Sequence, residues 1–290
     1  MSQLIVNADD FGLTPGVNRS IAELHQAGAL TSATLMATGA FFDDAVQTAR
    51  AHPSLEVGCH VLLVDGTPAL PPAQIPSLCP DGVAFRPTLS ALVRDLYAER
   101  IRPAEIEAEA AAQIRRLQSV GLQISHIDSH KHTHLFPRIL RPLLSAARAC
   151  GIPAIRNPFE PAWARRAASG SGSLRHFAVT ALALHRPAFT RLVREAGLAT
   201  TAGTIGVLAT GTPDVPGTLR RLLAALPPGN DIWELVCHPG HPDEHLDRVR
   251  TRLRASRASE HAALLDLIPE TALASWRGLN PNGTRSAPPA

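Results

Sequence analysis

Short apolar runs recur along this chain. They are separated by stretches in which apolar residues fall three and four positions apart. The runs at 4–8, 30–38, LEVGCH, QISHIDSH, IPAIRNP, 205–208 and 232–237 have the length and boundaries of buried strands. Helices are predicted between them. Thr14 can cap the first and Pro15 suits its first turn. Val17, Ile21 and Leu24 share one face, and Gly28 can end it. FFDDAVQTARAHP, closed by Pro53, predicts a second helix. Residues 103–121, with Ile106, Ala110, Ile114 and Leu117 on one face, predict another. Further helices are predicted at 139–150, stopped by Gly151, at 176–196, at 218–226 and over about 243–267. VDGTPALPPAQIPSLCPDG has no period and is crowded with Pro and Gly. A loop that long in a compact domain is usually functional or mobile, so it reads as a lid or substrate loop, with a plain surface excursion as the alternative. SGSGS near residue 170 reads as a flexible break, and LNPNGTRSAPPA as a disordered tail.

Strand and helix signals alternate throughout, with no internal repeat and no linker. This predicts one α/β domain over 1–278, followed by a tail at 279–290, with a parallel sheet wrapped in helices. A length of 290 residues and the absence of a GxGxxG turn favour a (β/α) TIM-like barrel over a dinucleotide-binding sheet. Composition changes this picture little. A 45% hydrophobic content is globular, and a formal charge of +3 over the whole chain points to no partner. Arg pairs such as Arg115-Arg116 lack interleaved aromatics, so no nucleic-acid partner is expected. No transmembrane segment is expected, because no uncharged apolar run reaches spanning length. No signal sequence is expected ahead of the first run. The four cysteines form no CxxC pair. The expectation is a soluble cytoplasmic protein with reduced thiols.

Candidate chemistry collects at the strand ends. Asp9 and Asp10 follow the first apolar run, and His60 closes LEVGCH. Asp128 and His130 close QISHIDSH, Arg156 closes AIR, and His238 follows WELVC. In a parallel barrel all strand C-termini share one face, so residues scattered in sequence converge. Taken singly, each is more often structural: a strand-end His is commonly a satisfied side chain, and a DD pair a turn. HIDSHKHTH is stronger, with four His in nine residues. In an extended segment His130, His132 and His134 would lie on one side. They could hold a metal alone, or one could be a ligand while the others line the pocket. Asp10, His60 and His130 make a workable set for a catalytic divalent ion, which needs about three protein ligands and an open position. Asp9 would then stand aside as a base, with His238 as general acid. Arg156 could hold a substrate oxygen, or only pair Asp9 or Glu160. Asp128 could support a ligand His or touch substrate. Cys59 and Cys237 read as buried inert thiols, and His25, His52, His185 and His261 as surface or structural residues on helices.

NADDFG, VGCH, HIDSHKHTHLFP and ELVCHPG together resemble the YdjC-like carbohydrate deacetylases, from Leu4 to about Leu267. That family includes chitooligosaccharide and hopanoid-biosynthesis-associated deacetylases. PPAQIPSL and the following DG are closer to the second branch, and 165–204 match no motif of either. The resemblance implies a distorted (β/α) barrel of the glycoside hydrolase/polysaccharide deacetylase type. It implies one divalent metal ion, magnesium or zinc, on Asp10, His60 and His130, with Asp9 as base and His238 as acid. It implies hydrolysis of the N-acetyl group of an N-acetylated amino sugar or glycolipid, and a possible homodimer; Arg156, Asp128 and His132 are placed on the substrate side by the residue reading alone. Two alternatives stand beside it: a metal hydrolase of a phosphoester or another amide, which would call for a basic phosphate cradle, and a non-catalytic metal- or sugar-binding barrel, which would need neither Asp9 nor His238.

Overall fold

The computed structural model describes residues 3–168, 173–268 and 273–280. Its centre is β1 (Gln3–Phe11), in which Leu4, Ile5, Val6 and Ala8 are all fully buried. A strand apolar on both faces must be covered on both faces, the usual situation in a parallel sheet with helices outside. β2 (Ser32–Leu35), β3 (Glu56–Val61), β4 (Ile124–Ser129), β5 (Gly203–Ile205) and β6 (Ile232–Cys237) complete a six-stranded sheet. Its order is β4-β3-β2-β1-β6-β5, and every pair is parallel. The sheet curls into a half-barrel. Single-residue bridges span the side between its edges. Ile127 of β4 pairs with Ile155, and Ala154 pairs with Ala199, just ahead of β5.

Helices pack around this sheet: α1 (Pro15–Gln26), α2 (Phe42–Ala51), α3 (Leu89–Tyr97), α4 (Pro103–Ser119), α5 (Pro137–Ala149), α6 (Ala162–Ala167), α7 (Ser173–Leu182), α8 (Arg186–Ala196), α9 (Val215–Ala224), α10 (Glu244–Arg248) and α11 (Arg257–Leu267). Thr14 Oγ1 accepts the Val17 N–H at 3.3 Å, so α1 starts where its cap signal lies. Among the described residues no helix is long and apolar enough to cross a membrane.

Several expectations need correction. α3 was not predicted, although Thr88 caps it by accepting the Ala91 N–H; its single apolar face is two turns long and follows a Pro-rich stretch. IPAIRNP forms only the two bridges rather than a strand. The stretch 176–196 breaks into α7, a 3-10 turn at Ala183–His185 and α8, because Pro187 can begin a helix but not continue one. The Pro-rich stretch from 64 to 82 is fastened rather than free. Glu109 of α4 accepts the N–H groups of Ala69 and Leu70 (2.7 and 3.0 Å), and Glu105 accepts both N–H and hydroxyl of Ser77. Its own Ile75, Leu78 and Cys79 are buried, so it is packed down rather than loose. Of the predicted flexible break, residues 169–172 lie outside the described residues, as do 281–290 of the predicted tail. Leu279 packs with Ile5, Ile232 and Trp276.

Candidate functional site

The first two acids converge because β1 does not end regularly. The β1–β2 register shifts between Ala8 and Phe11, and Asp10 has φ +65°. Asp is among the residues that tolerate this left-handed conformation. In a regular strand Asp9 and Asp10 would point to opposite faces; the turn lets both serve the same end of the sheet. Asp9 points toward Arg156, and Asp10 toward β3 and β4.

Asp10 Oδ1 lies 3.6 Å from His60 Nε2 and 3.5 Å from His130 Nδ1, and those nitrogens are 3.3 Å apart. Ligands about 2.0–2.1 Å from a tetrahedral ion stand roughly 3.3–3.4 Å from one another. The triangle is therefore close to the size a zinc-like ion needs. Asp10 Oδ1 is buried and has no hydrogen-bond partner, a costly condition that a cation would relieve. The His60 Nδ1–H donates to Asp128 Oδ1 at 2.7 Å, which leaves Nε2 as the nitrogen facing the triangle. Burial alone would push the His60 imidazole down; Asp128, with Asp9 and Asp10, outweighs it and raises it to about 9. A cation bound here would have to displace that proton.

Beneath the triangle, Arg156 is fully buried. It grips Asp9 with two hydrogen bonds, Nη1 to Oδ2 (2.8 Å) and Nη2 to Oδ1 (2.7 Å), while Nε donates to Glu234. It also pairs with Asp128. Burial would raise the Asp9 carboxyl, yet Arg156 holds it far below the usual range. Burial pushes Glu234 up to about 7, against the pull of Arg156. Arg257, reaching in from α11, donates to Asp10 Oδ2. Asp9, Asp10, Asp128 and Glu234 thus share two buried guanidiniums. The donor set and the orphaned oxygen fit a divalent metal.

His238 follows β6 and stands across from Asp9, with Nε2 at 3.8 Å from Asp9 Oδ2. Arg156 and Asp128 have no exposed surface and are paired with each other, Asp9, Glu234 and His60, so they brace the site from below. Of the two pairings considered for Arg156, Asp9 is the one formed; Glu160 instead accepts the N–H groups of Gly206 and Leu208. His130, His132 and His134 do not share a side. The chain leaves β4 through two left-handed residues, Lys131 (φ +56°) and His132 (φ +52°). His134 bonds Ser129 Oγ in the interior, and half-buried His132 meets the His134 ring edge-on, with Arg156, Asp9, His238 and His60 near enough to act on its charge. Burial pushes the His132 imidazole down to about 3. All four cysteines are free; Cys59 and Cys237 are buried, which raises both thiols.

Sequence reading missed Glu234, Arg257, Asn7, Thr210 and Glu260. Two were accessible through strand alternation: Asn7 lies two before Asp9 and donates to its Oδ1 (3.0 Å), and Glu234 lies four before His238. Arg257 and Glu260 sit on a helix near the far end of the chain, with no local pattern to connect them to the site.

The family model described as YdjC-like protein matches residues 3–275. Proteins described as carbohydrate deacetylases are similar in part: one from Brevibacillus brevis is 42% identical over 157 residues, covering 54% of this chain and 60% of that protein. Another, from Geobacillus stearothermophilus, is 44% identical over 135 residues, covering 47% of this chain and 51% of that protein. The chain thus spans about half to three-fifths of the length of these curated relatives. Among solved structures, a putative cellobiose-phosphate cleavage protein from Enterococcus faecalis superposes with a TM-score of 0.74 at 26% identity, covering 95% of this chain and 98% of that one. A lactam utilization protein from Thermus thermophilus shares the fold, with a TM-score of 0.51 at 16% identity over 94% of this chain and 98% of that one. With the family model covering nearly its whole length, the chain belongs to the YdjC-like protein family.

Proposed function

We propose that this chain is a divalent-metal-dependent N-deacetylase, which hydrolyses the N-acetyl group of an N-acetylated amino sugar or sugar-bearing lipid to acetate and a free amine. The observation that carries this reading is the Asp10–His60–His130 triangle beside the facing pair Asp9 and His238. The carbohydrate deacetylases among its relatives support the substrate class. The curled sheet with edge bridges supports a distorted (β/α) barrel of the polysaccharide deacetylase type.

Asp10, His60 and His130 would hold the ion. Such an ion lowers the pKa of a water and polarises a carbonyl. Arg156 keeps Asp9 ionised and aimed, so Asp9 can accept the proton of the attacking water. His238 Nε2, on the other side, can deliver a proton to the leaving nitrogen as the C–N bond breaks. Asp128 sets the His60 tautomer, and burial of the whole group excludes bulk water from the charged residues. The name of the Enterococcus neighbour raises phosphoester chemistry, but both guanidiniums in this site are already taken by carboxylates, leaving no basic cradle among them.

The test is acetate release from N-acetylglucosamine, chitobiose and a glucosaminyl lipid mimic. Each is run metal-free and then with zinc, magnesium, manganese or cobalt restored. Release that returns only with metal supports the reading. No release from any substrate by fully metal-loaded protein overturns it.

A further inference from the structure

His238 is held by a relay that sequence reading did not find. Its backbone N–H donates to Glu260 Oε2 at 2.7 Å. Its ring Nδ1 lies 3.2 Å from Thr210 Oγ1, and that hydroxyl lies 2.6 Å from Glu260 Oε1. Ser256 Oγ also donates to Oε1, at 3.1 Å. Glu260, Thr210 and Ser256 are all buried.

The direction of this chain follows from donor counting. An ionised carboxylate only accepts, so the single hydroxyl proton of Thr210 is spent on Glu260. The Thr210 oxygen is then left to accept, and the group facing it is His238 Nδ1. We propose that Glu260, acting through Thr210, positions the His238 imidazole with its proton on Nδ1 and its Nε2 open toward Asp9. Glu260 and Thr210 are positioning residues that touch no substrate. The role given to His238 rests on the deacetylase reading; its orientation does not.

The orientation matters for amide cleavage. A proton taken up at Nε2 makes an imidazolium whose Nδ1–H is already bonded to the relay. That proton passes to the leaving nitrogen, which takes the C–N electron pair, while the water oxygen stays on the acetyl carbon. Glu260→Gln reverses the relay. The amide oxygen must still accept the His238 N–H, so the NH₂ group faces Thr210 and donates to it. The Thr210 hydroxyl then donates to Nδ1, and the neutral ring must carry its proton on Nε2, the wrong nitrogen.

The experiment has two arms on the full chain. In the first, ring ¹⁵N shifts of metal-free, ¹⁵N-histidine-labelled protein report which His238 nitrogen is protonated, assigned by comparison with His238→Gln. Nδ1–H is expected in the native protein and Nε2–H in Glu260→Gln. In the second, Glu260→Gln and Thr210→Val are expected to lose ~10²–10³-fold in kcat on the N-acetyl sugar, with KM nearly constant. Hydrolysis of p-nitrophenyl acetate, whose leaving group needs no proton, should change less than about threefold. Thr210→Ser keeps the hydroxyl and should restore most of the loss. An Nδ1–H tautomer in Glu260→Gln with an unchanged amide-to-ester ratio would overturn the proposal and leave Glu260 as a brace for the backbone. If Glu260→Gln does not fold, Thr210→Val and Thr210→Ser decide by the same readouts. If native protein releases no acetate from any sugar, the deacetylase reading fails while the tautomer arm still decides the positioning.

Discussion

Among the described residues, two clusters have the same make-up, one carboxylate and two imidazoles, yet they are prepared very differently. The first is Asp10, His60 and His130; the second is Glu23, His241 and His261, where α1 and α11 meet the chain just after His238. In the first, the carboxylate is buried, one of its oxygens has no partner, and the three ligand atoms are spaced 3.3–3.6 Å apart. In the second, Glu23 is 44% exposed and already accepts from His241 Nε2 at 2.6 Å, with Arg19 alongside. His261 bonds Ser20 through Nδ1, and its Nε2 stands 3.7 Å from Glu23. Water and the His241 bond already satisfy Glu23, so a cation gains little there. The first cluster holds a buried carboxylate oxygen with no hydrogen-bond partner, so a cation gains more there. Residue types alone do not separate the two; burial and unmet valence do.

The largest effect that would test this contrast is loss of metal itself. Asp10→Asn keeps the shape of the side chain and removes its charge. Bound metal, measured by elemental analysis, should fall from one per chain to near none, and activity with it. The same change at Glu23 should leave one metal per chain. Asp9→Asn sharpens the comparison within the site, because Asp9 faces Arg156 rather than the triangle. Metal should stay near one per chain while acetate release falls ~10²–10⁴-fold. A fully active Asp9→Asn protein would remove Asp9 as the base. Asp128→Asn comes next. The amide oxygen can still accept from His60 Nδ1–H, but the charge that favours this arrangement is gone. Metal affinity, read by competition with a chelator, should weaken roughly 10–100-fold. Unchanged affinity would mean that the 2.7 Å contact between Asp128 and His60 does not tune the triangle.

How much of this could be read from the chain depends on the distance over which each feature is encoded. The strand-end rule brings Asp9, Asp10, His60, His130 and His238 to one end of the sheet, and the structure places all five there. That rule needs only short apolar runs, which are local. It says nothing about which strand-end residues sink below the surface, so it left open whether Arg156 and Asp128 touch substrate or support Asp9 and His60; the structure buries both against those partners. The left-handed turn at Asp10 and the pair at Lys131 and His132 were also invisible, since Asp, Lys and His do not mark positive φ as Gly does. Arg257 lies 247 residues from the carboxylate it bonds, and Glu260 22 residues from the backbone it holds. Such partners are set by how α11 packs, which no local pattern on α11 records.

The smallest predicted effect bears most directly on the contrast. His241→Ala removes the imidazole that Glu23 accepts from and exposes no buried charge, because Glu23 faces water. Exposed pairs of this kind contribute ~0.2–1 kcal/mol, so a denaturant melt should shift by no more than about that. Metal content should remain one per chain, and the tight-binding phase of a zinc titration should be unchanged. Those expectations follow from treating the second cluster as a hydrogen-bonded ion pair. A native protein that binds two zinc ions, falling to one in His241→Ala, would break the contrast. It would mean that a half-exposed carboxylate with two adjacent imidazoles suffices, and that burial and the orphaned oxygen of Asp10 are not what distinguish the first cluster.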